Sequence, residues 1–255
     1  MLDFVLDFLF PPVCGICGKL DSNWICEKCK RRLKKYEKFE LVKGKRKINK
    51  LFNFKENKEF IILDQIYFDD FLYCYEYKNL IRKLILKYKF SDCAYLSNMF
   101  GNVILNNKKI NEIFEKYDII IPVPMDKIKK SQRGYNQTEL ITKYIEKNIK
   151  LKNDYKFEDD NVKFSYYEKE KCKLTNADKC LVKNKSTKTQ STLSAEKRKE
   201  NIKNAFLVKN KNVIENKNII LFDDIATTGS TINEISKILK NAGASKILVL
   251  VIAKD

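Results

Sequence analysis

The chain has no histidine in its 255 residues. That excludes a histidine general base and a histidine metal ligand, so both kinds of chemistry fall to carboxylates, lysines and cysteines. It also has no G-x-x-x-x-G-K-[ST] sequence, so a strand ending in acids is not half of a P-loop ATPase. No apolar run is long enough to span a bilayer. Leu2 to Phe10 is apolar but short, carries Asp3 and Asp7 and lacks a basic flank, so it does not read as a secretory signal. Leu2, Val5, Leu6 and Leu9 line one side of a short helix expected to pack on the protein's own surface. Together these absences lead to the expectation of a cytoplasmic protein.

What is abundant is positive charge. Fifty-one Lys and Arg stand against 33 Asp and Glu, a net charge of +18. Such a balance suits phosphate-rich partners, nucleic acid included. The wealth of Lys, Asn and Ile also matches AT-rich coding sequence, so charge alone does not separate the two explanations.

Eight cysteines are present, and four of them are clustered. Cys14-Gly-Ile-Cys17 and Cys26-Glu-Lys-Cys29 form two C-x-x-C turns, with Gly15 and Gly18 expected to supply the tight backbone angles. Two matched turns present four thiolates to one tetrahedral ion, a closed structural zinc site rather than a disulfide framework. A segment this short needs the metal to fold, ligation contributing on the order of 10–16 kcal/mol in comparable peptides. Trp24 is expected to cover the site. Lys28, Lys30, Arg31, Arg32, Lys34 and Lys35 form a rim that either touches nucleic acid or is simply solvated. Cys74 and Cys93 have no partner turn and read as buried small hydrophobes. Cys172 and Cys180 also lack C-x-x-C turns.

The most informative stretch is Asn218-Ile-Ile-Leu-Phe-Asp-Asp-Ile-Ala-Thr-Thr-Gly-Ser-Thr231. Ile219 to Phe222 reads as a strand buried on both faces, ending in Asp223 and Asp224. A bend of small and hydroxyl residues follows: Ala226, Thr227, Thr228, Gly229, Ser230 and Thr231. From there Ile232, Ile235, Ile238 and Leu239 fall on one helical face, with Gly243 as the stop. A bend of this kind, at the carboxyl end of a strand and the N-terminus of a helix, lets N–H groups and hydroxyls surround a phosphate. The adjacent acids suit vicinal sugar hydroxyls.

Other segments supply the rest of an α/β domain with a mainly parallel sheet. Phe71–Tyr75 reads as a strand. Leu80, Ile81, Leu84, Ile85 and Tyr88 make a helical face ending in the polar turn Lys87 to Asp92, and a further helix is expected over Cys93–Leu105. Asp118 to Pro124 is a second buried strand. It enters a basic loop, Lys127 to Lys130, then Arg133-Gly-Tyr-Asn-Gln137 and a helix with Leu140, Ile141, Tyr144 and Ile145 inward. Arg133 is placed to bind a phosphate bidentately. Lys246–Ile252 is the last buried strand.

Residues 37–70 read as a connector with an edge hairpin around Ile61–Tyr67. Residues 150–185 read as an excursion with a strand at Val162–Tyr167. Lys183, Lys185, Thr187, Lys188, Thr189 and Gln190 form a basic loop, and a short helix begins at Ser194. The expected division is a helix and zinc ribbon over 1–36, a connector over 37–70, and the α/β domain over 71–255, with an excursion and lid over 150–205.

Asp223 to Thr231 resembles the phosphoribosyl-pyrophosphate motif of type I phosphoribosyltransferases. The wider chain resembles the ComF family, competence-associated proteins that join an N-terminal zinc ribbon to a phosphoribosyltransferase-like domain. That resemblance is carried by Leu6–Leu9 with Phe10-Pro-Pro and the first C-x-x-C, by Lys89-Phe90, by Pro122-Val-Pro124 and by Arg133 to Gln137. It continues through Thr187, Gln190, Leu193, Arg198 and Asn201, then Ala205-Phe206 and the Asp223–Thr231 stretch. Residues 30–70 hold none of the additional cysteine pairs of many relatives, so a single zinc site is expected.

The resemblance implies phosphoribosyl-pyrophosphate binding with Mg²⁺ bridging pyrophosphate and ribose oxygens. Asp223 and Asp224 would hold the ribose hydroxyls, Thr227 to Thr231 the 5′-phosphate, and Lys89, Ser91 and Arg133 the pyrophosphate. A phosphoribosyltransferase is the implied enzyme class, with no acceptor specified. The alternative is a non-catalytic module that binds single-stranded DNA or a helicase-like ATPase during DNA uptake, for which basic residues near Tyr135, Tyr166 and Tyr167 are suited.

Overall fold

The computed structural model describes residues 11–22, 24–52, 55–56, 59–60, 65–154, 172–184 and 205–255. The expected N-terminal helix, the strand at 162–167, the loop around Thr187 and Gln190, and the helix from Ser194 lie outside the described residues.

A six-stranded sheet organises the molecule. Its strands are β1 (Glu37–Lys43), β4 (Asp70–Glu76), β10 (Lys246–Lys254), β9 (Asn218–Ala226), β5 (Ile119–Pro122) and β6 (Thr175–Asn176), in that spatial order. All neighbouring pairs are parallel except β1 with β4, which is antiparallel. Two small ribbons accompany it: β2 (Lys55–Glu56) with β3 (Glu59–Phe60), and β7 (Leu181–Lys183) with β8 (Phe206–Val208).

The central strands carry long apolar runs because both faces are covered. Along β9, Ile220 and Phe222 join one core layer with Ile81, Leu84 and Tyr88 of α3 (Asn79–Phe90). Met99 and Phe100 of α4 (Leu96–Leu105), Phe114 of α5 (Lys108–Phe114) and Ile141 of α7 (Gln137–Asp154) complete that layer. Ile219 and Leu221 turn to the opposite layer, with Ile48 and Phe52 of α2 (Lys45–Phe52) and Ile232, Ile235 and Leu239 of α8 (Ser230–Asn241). This is the period-2 alternation of a strand buried on both sides, each large side chain contributing about 1.5–3 kcal/mol.

The four-cysteine segment is continuous with the first layer. Cys14, Ile25, Cys29 and Leu33 of α1 (Glu27–Lys34) are buried with Leu96 and Met99. Gly18 has the expected positive φ of 76°. Gly15 does not. It is there for close approach, because a Cβ on it would lie 2.5 Å from Leu96 Cδ2 and 2.7 Å from Met99 Sδ. Trp24 is half-buried against the same layer, and its carbonyl accepts the Gly15 N–H at 3.0 Å.

Several expectations need correcting. The stretch read as connector supplies an edge strand and a helix, β1 and α2; the sequence of β1, Glu-Lys-Phe-Glu-Leu-Val-Lys, mixes charged and apolar residues with no strict alternation to mark a strand. An antiparallel ribbon pairs Lys55–Glu56 with Glu59–Phe60, and residues 61–64 of the hairpin expected at Ile61–Tyr67 lie outside the described residues. The helix after Cys93 starts at Leu96, since Cys93 and Ala94 are spent in a turn that accepts the Leu96 and Ser97 N–H groups. The basic loop after Pro124 contains a short helix, α6 (Lys127–Arg133), capped by Asp126 and closed by Gly134. Strand β9 does not stop at Phe222. Its ladder with β10 runs on to Ala226 opposite Lys254, so both acids are strand residues.

Candidate functional site

The topology selects one edge of the sheet. From β5 the chain crosses through α6 and α7 to β6, and from β9 it crosses through α8 to β10 on the other side. Crossovers that part in opposite directions leave a crevice outside the carboxyl ends of β5 and β9, where α/β folds bind ligands.

Asp223 and Asp224 stand at that end of β9. By strand alternation Asp224 continues the row of Ile220 and Phe222, beneath α3, and Asp223 continues the row of Ile219 and Leu221. Asp224 is met from α3: Lys89 Nζ lies 2.8 Å from its Oδ2, the two side chains only 19% and 11% exposed. Asp223 turns back on the backbone, Oδ1 accepting the Asp224 N–H at 2.8 Å. Burial, then the neighbouring Asp224 carboxylate, push the Asp223 carboxyl up to about 7, against the pull of Lys89.

The bend that follows is built for a tight reversal. Gly229 adopts φ 75° as the residue that opens α8, a left-handed conformation that costs a residue with a Cβ. Thr228 is buried, and its Oγ1 lies 3.0 Å from Ser230 Oγ. Thr227 is exposed at the tip, and Ala226 is buried as the last residue of β9. Thr231 is half-buried in the first turn of α8. The bend therefore offers hydroxyls and a helix N-terminus to the crevice side of the sheet.

Arg133 lies on the α3 side. Its guanidinium sits 4.8 Å from the centre of the Phe90 ring, and Nη1 donates to Gln137 Oε1 at 3.2 Å. The rest of that motif is structural. Tyr135 Oη donates to Tyr88 O at 2.7 Å, and Tyr88 Oη donates to Gln137 O at 2.9 Å, with the two rings stacked at 5.8 Å. Thr138 Oγ1 donates to Val123 O at 2.9 Å and Asn136 Nδ2 to the same oxygen at 3.3 Å, pinning the start of α7 to the end of β5. A cleft of about 380 Å³ results, lined by Lys89, Phe90, Asp92, Lys129, Gln132, Arg133 and Tyr135. Lys89 and Arg133 thus share one cleft. The Thr227–Thr231 bend is not part of its lining, and the tie between the two regions is the Lys89–Asp224 pair. Ser91 closes α3, its N–H donating to Lys87 O.

The second constellation is the four-cysteine cluster. The sulfurs of Cys14, Cys17, Cys26 and Cys29 all lie within 4.8 Å of one another. Cys17 and Cys26 sulfurs are 3.7 Å apart. A tetrahedral zinc–thiolate site with bonds of about 2.3 Å has an edge of about 3.8 Å, so the donor set fits such an ion. Burial followed by the other three sulfurs pushes Cys29 up to about 12. Burial opposes ionisation of Cys14 as well, but N–H groups of Cys26, Cys17 and Ile16 bring it down to about 7. Ionisation is thus eased at one corner of the site. Cys74, Cys93 and Cys180 are buried outside it.

Sequence reasoning did not find Phe90 as an exposed ring in the cleft, nor Phe52 beneath the bend. Phe90 is 68% exposed, which no apolar periodicity signals, since it follows the helical face rather than belonging to it. Among the described residues no helix is long and apolar enough to cross a membrane.

A mainly parallel sheet with a crevice at its switch point and a four-cysteine cluster packed against one core layer define the class: a phosphoribosyl transferase-type α/β domain with an N-terminal segment whose cysteines could hold a metal. The family description of the phosphoribosyl transferase domain matches residues 167–255. Competence protein F of Haemophilus influenzae is 30% identical over 175 residues, 67% of this chain and 66% of that protein. DNA utilization protein YhgH of Escherichia coli (strain K12) is 27% identical over 132 residues, 52% of this chain and 47% of that protein. The protein of that name in Salmonella typhi is 40% identical over 65 residues, 26% of this chain and 28% of its own length. The aligned stretch is therefore just under two thirds of the Haemophilus protein and about half of the Escherichia one. The chain belongs to the ComF family.

Proposed function

We propose that this chain binds phosphoribosyl pyrophosphate together with Mg²⁺ in the crevice at the end of β9, as a phosphoribosyltransferase-like member of the DNA-uptake apparatus. The observation that carries this reading is the Lys89–Asp224 pair at 2.8 Å, which brings a cation from α3 to the acids that open the hydroxyl bend. In this reading Asp223 and Asp224 accept the ribose hydroxyls, and Ala226 to Thr231 receive the 5′-phosphate. Lys89, Ser91 and Arg133 face the pyrophosphate. Carboxylate and phosphate oxygens are the hard donors that Mg²⁺ takes, and bound there it would neutralise the leaving group. The chain's own part is to hold the sugar, keep the leaving group's charge among cations and exclude water as the glycosidic centre becomes cationic. Zn²⁺ is the ion assigned to the four cysteines, and the cytoplasm is the assigned compartment.

Calorimetry with phosphoribosyl pyrophosphate and Mg²⁺ tests the reading. Saturable heat from the native chain, abolished in Asp224→Ala, supports it; no heat, or equal heat from the variant, rejects it.

A second reading follows from the cleft: Phe90 exposed beside Lys89, Lys129 and Arg133 is a stacking ring among cations, the arrangement used for single-stranded nucleic acid. The Haemophilus and Escherichia relatives are named for competence and DNA utilization, which agrees with a partner of that kind or with an ATPase of the uptake machinery.

A further inference from the structure

The Thr227–Thr231 bend is held from outside the strand and helix that carry it. Gly229 rests on Phe52, the last residue of α2: a Cβ on Gly229 would stand 3.0 Å from Phe52 Cδ1 and 3.2 Å from Cε1. Phe52 is itself fixed by Phe71 edge-on at 4.9 Å and Phe68 edge-on at 6.3 Å, all three rings fully buried. One turn into α8, Asn233 is clamped to the same part of the chain by two hydrogen bonds. Its Oδ1 accepts the Tyr67 N–H at 2.9 Å, and its Nδ2 donates to Gln65 O at 2.7 Å. The Asn233 N–H in turn donates to Gly229 O at 2.9 Å.

We propose that Phe52 and Asn233 are positioning residues for the bend, so that α2 and the 65–68 segment, which precede the matched transferase region, are a working part of the ligand site. The physical reason is economy of strain. A left-handed glycine between two threonines and two further hydroxyl residues has several backbone alternatives, and only a rigid floor and a pinned first helical turn make one of them persist before the ligand arrives. Pre-forming the bend spares the ligand the ordering cost, which appears as affinity. The proposal rests, for its affinity arm alone, on the reading of this bend as a phosphate site.

Hydrogen exchange on the full-length, metal-loaded chain provides the ligand-free arm. Asn233→Ala removes both clamp bonds without opening a cavity, and Phe52→Ala removes the floor. Phe114→Ala, a fully buried ring in the opposite core layer, controls for general loosening. Exchange of the 227–233 amides, relative to those of β10, should rise about tenfold in the first two variants and not in the third. In the binding arm, affinity for phosphoribosyl pyrophosphate with Mg²⁺ should fall at least about fivefold in Asn233→Ala and stay within about twofold in Phe52→Leu, which keeps an apolar floor. Unchanged exchange in Asn233→Ala, or an equal rise in Phe114→Ala, overturns the proposal. If Phe52→Ala does not fold, Asn233→Ala decides. A native chain that does not bind the sugar, yet shows the expected exchange pattern, rejects the function and leaves the buttress standing.

Discussion

Lys89 Nζ and Asp224 Oδ2 meet at 2.8 Å, where the last turn of α3 reaches over the carboxyl end of β9. Both side chains are largely withdrawn from water, so the attraction is weakly screened and removing one partner strands the other. Lys89→Met should lower stability by about 1–3 kcal/mol, read as a shift in the denaturant midpoint. It should also weaken binding of phosphoribosyl pyrophosphate at least about tenfold, because the cation serves the ligand as well as the fold.

The Asp223 carboxyl gives a pH signature. Its folded pKa is raised to about 7 from the ordinary 3.8 by burial first and Asp224 second. A raised pKa means the folded state holds a proton the unfolded state has lost. The stabilisation is full below about 4 and disappears as pH rises through about 7. Asp223→Asn should therefore match the native chain only below about pH 4 and exceed it by a growing margin as pH rises toward about 7, levelling off above that, checked by thermal melts across that range. Ligand binding that needs the carboxylate should release protons at pH 6, measured by calorimetry in buffers of different ionisation enthalpy.

Metal removal should act on the whole molecule. Cys14, Cys29 and Leu33 share a core layer with α4, so the four-cysteine segment is not a detachable bead. Chelation, or Cys26→Ser, should lower the main unfolding transition rather than melt a separate one. Elemental analysis of the native chain should give one zinc per chain.

Gly15→Ala isolates the packing part of that coupling. The new methyl would press on Leu96 and Met99, both fully buried, so the neighbours cannot simply swing into solvent. A cost of about 1–3 kcal/mol is expected, with zinc content unchanged.

Phe90→Ala separates the two functional readings. If the cleft stacks nucleic-acid bases, oligonucleotide affinity should fall by about 1–3 kcal/mol and should weaken with added salt in the native chain. Phosphoribosyl-pyrophosphate binding should fall less, since Lys89 and Asp224 stay in place and only the ring against Arg133 is lost. Affinity for oligonucleotides that is indifferent to salt would remove the second reading.

Much of this arrangement is written locally. The Asp223–Thr231 stretch is legible because strand, acids, bend and helix are consecutive, and each announces itself by period or residue type. The two C-x-x-C turns are legible for the same reason, and their four sulfurs do converge. The parallel strands β4, β5, β9 and β10 are legible because burial on both faces leaves apolar runs, whereas β6, two polar residues within the stretch read as an excursion, is not. Strand β1 is not, because only Val42 of its side chains is buried and its charges face solvent. The Lys89–Asp224 pair, the Phe52 floor and the Asn233 clamp join residues far apart in the chain. No periodicity encodes such meetings; they follow only once the sheet order is known. Gly15 shows a subtler limit: a glycine chosen for nearness looks, in one dimension, like a glycine chosen for its turn.

The antiparallel edge strand has a practical consequence for anyone dissecting this protein. A fragment begun at Phe71, where the sequence alone places the start of the α/β domain, would leave the backbone of β4 bare along its whole outer side, an open invitation to intermolecular pairing. The same cut would take away Phe52, and with it the seat of Gly229. Activity missing from such a truncation would report on the cut, not on the chemistry.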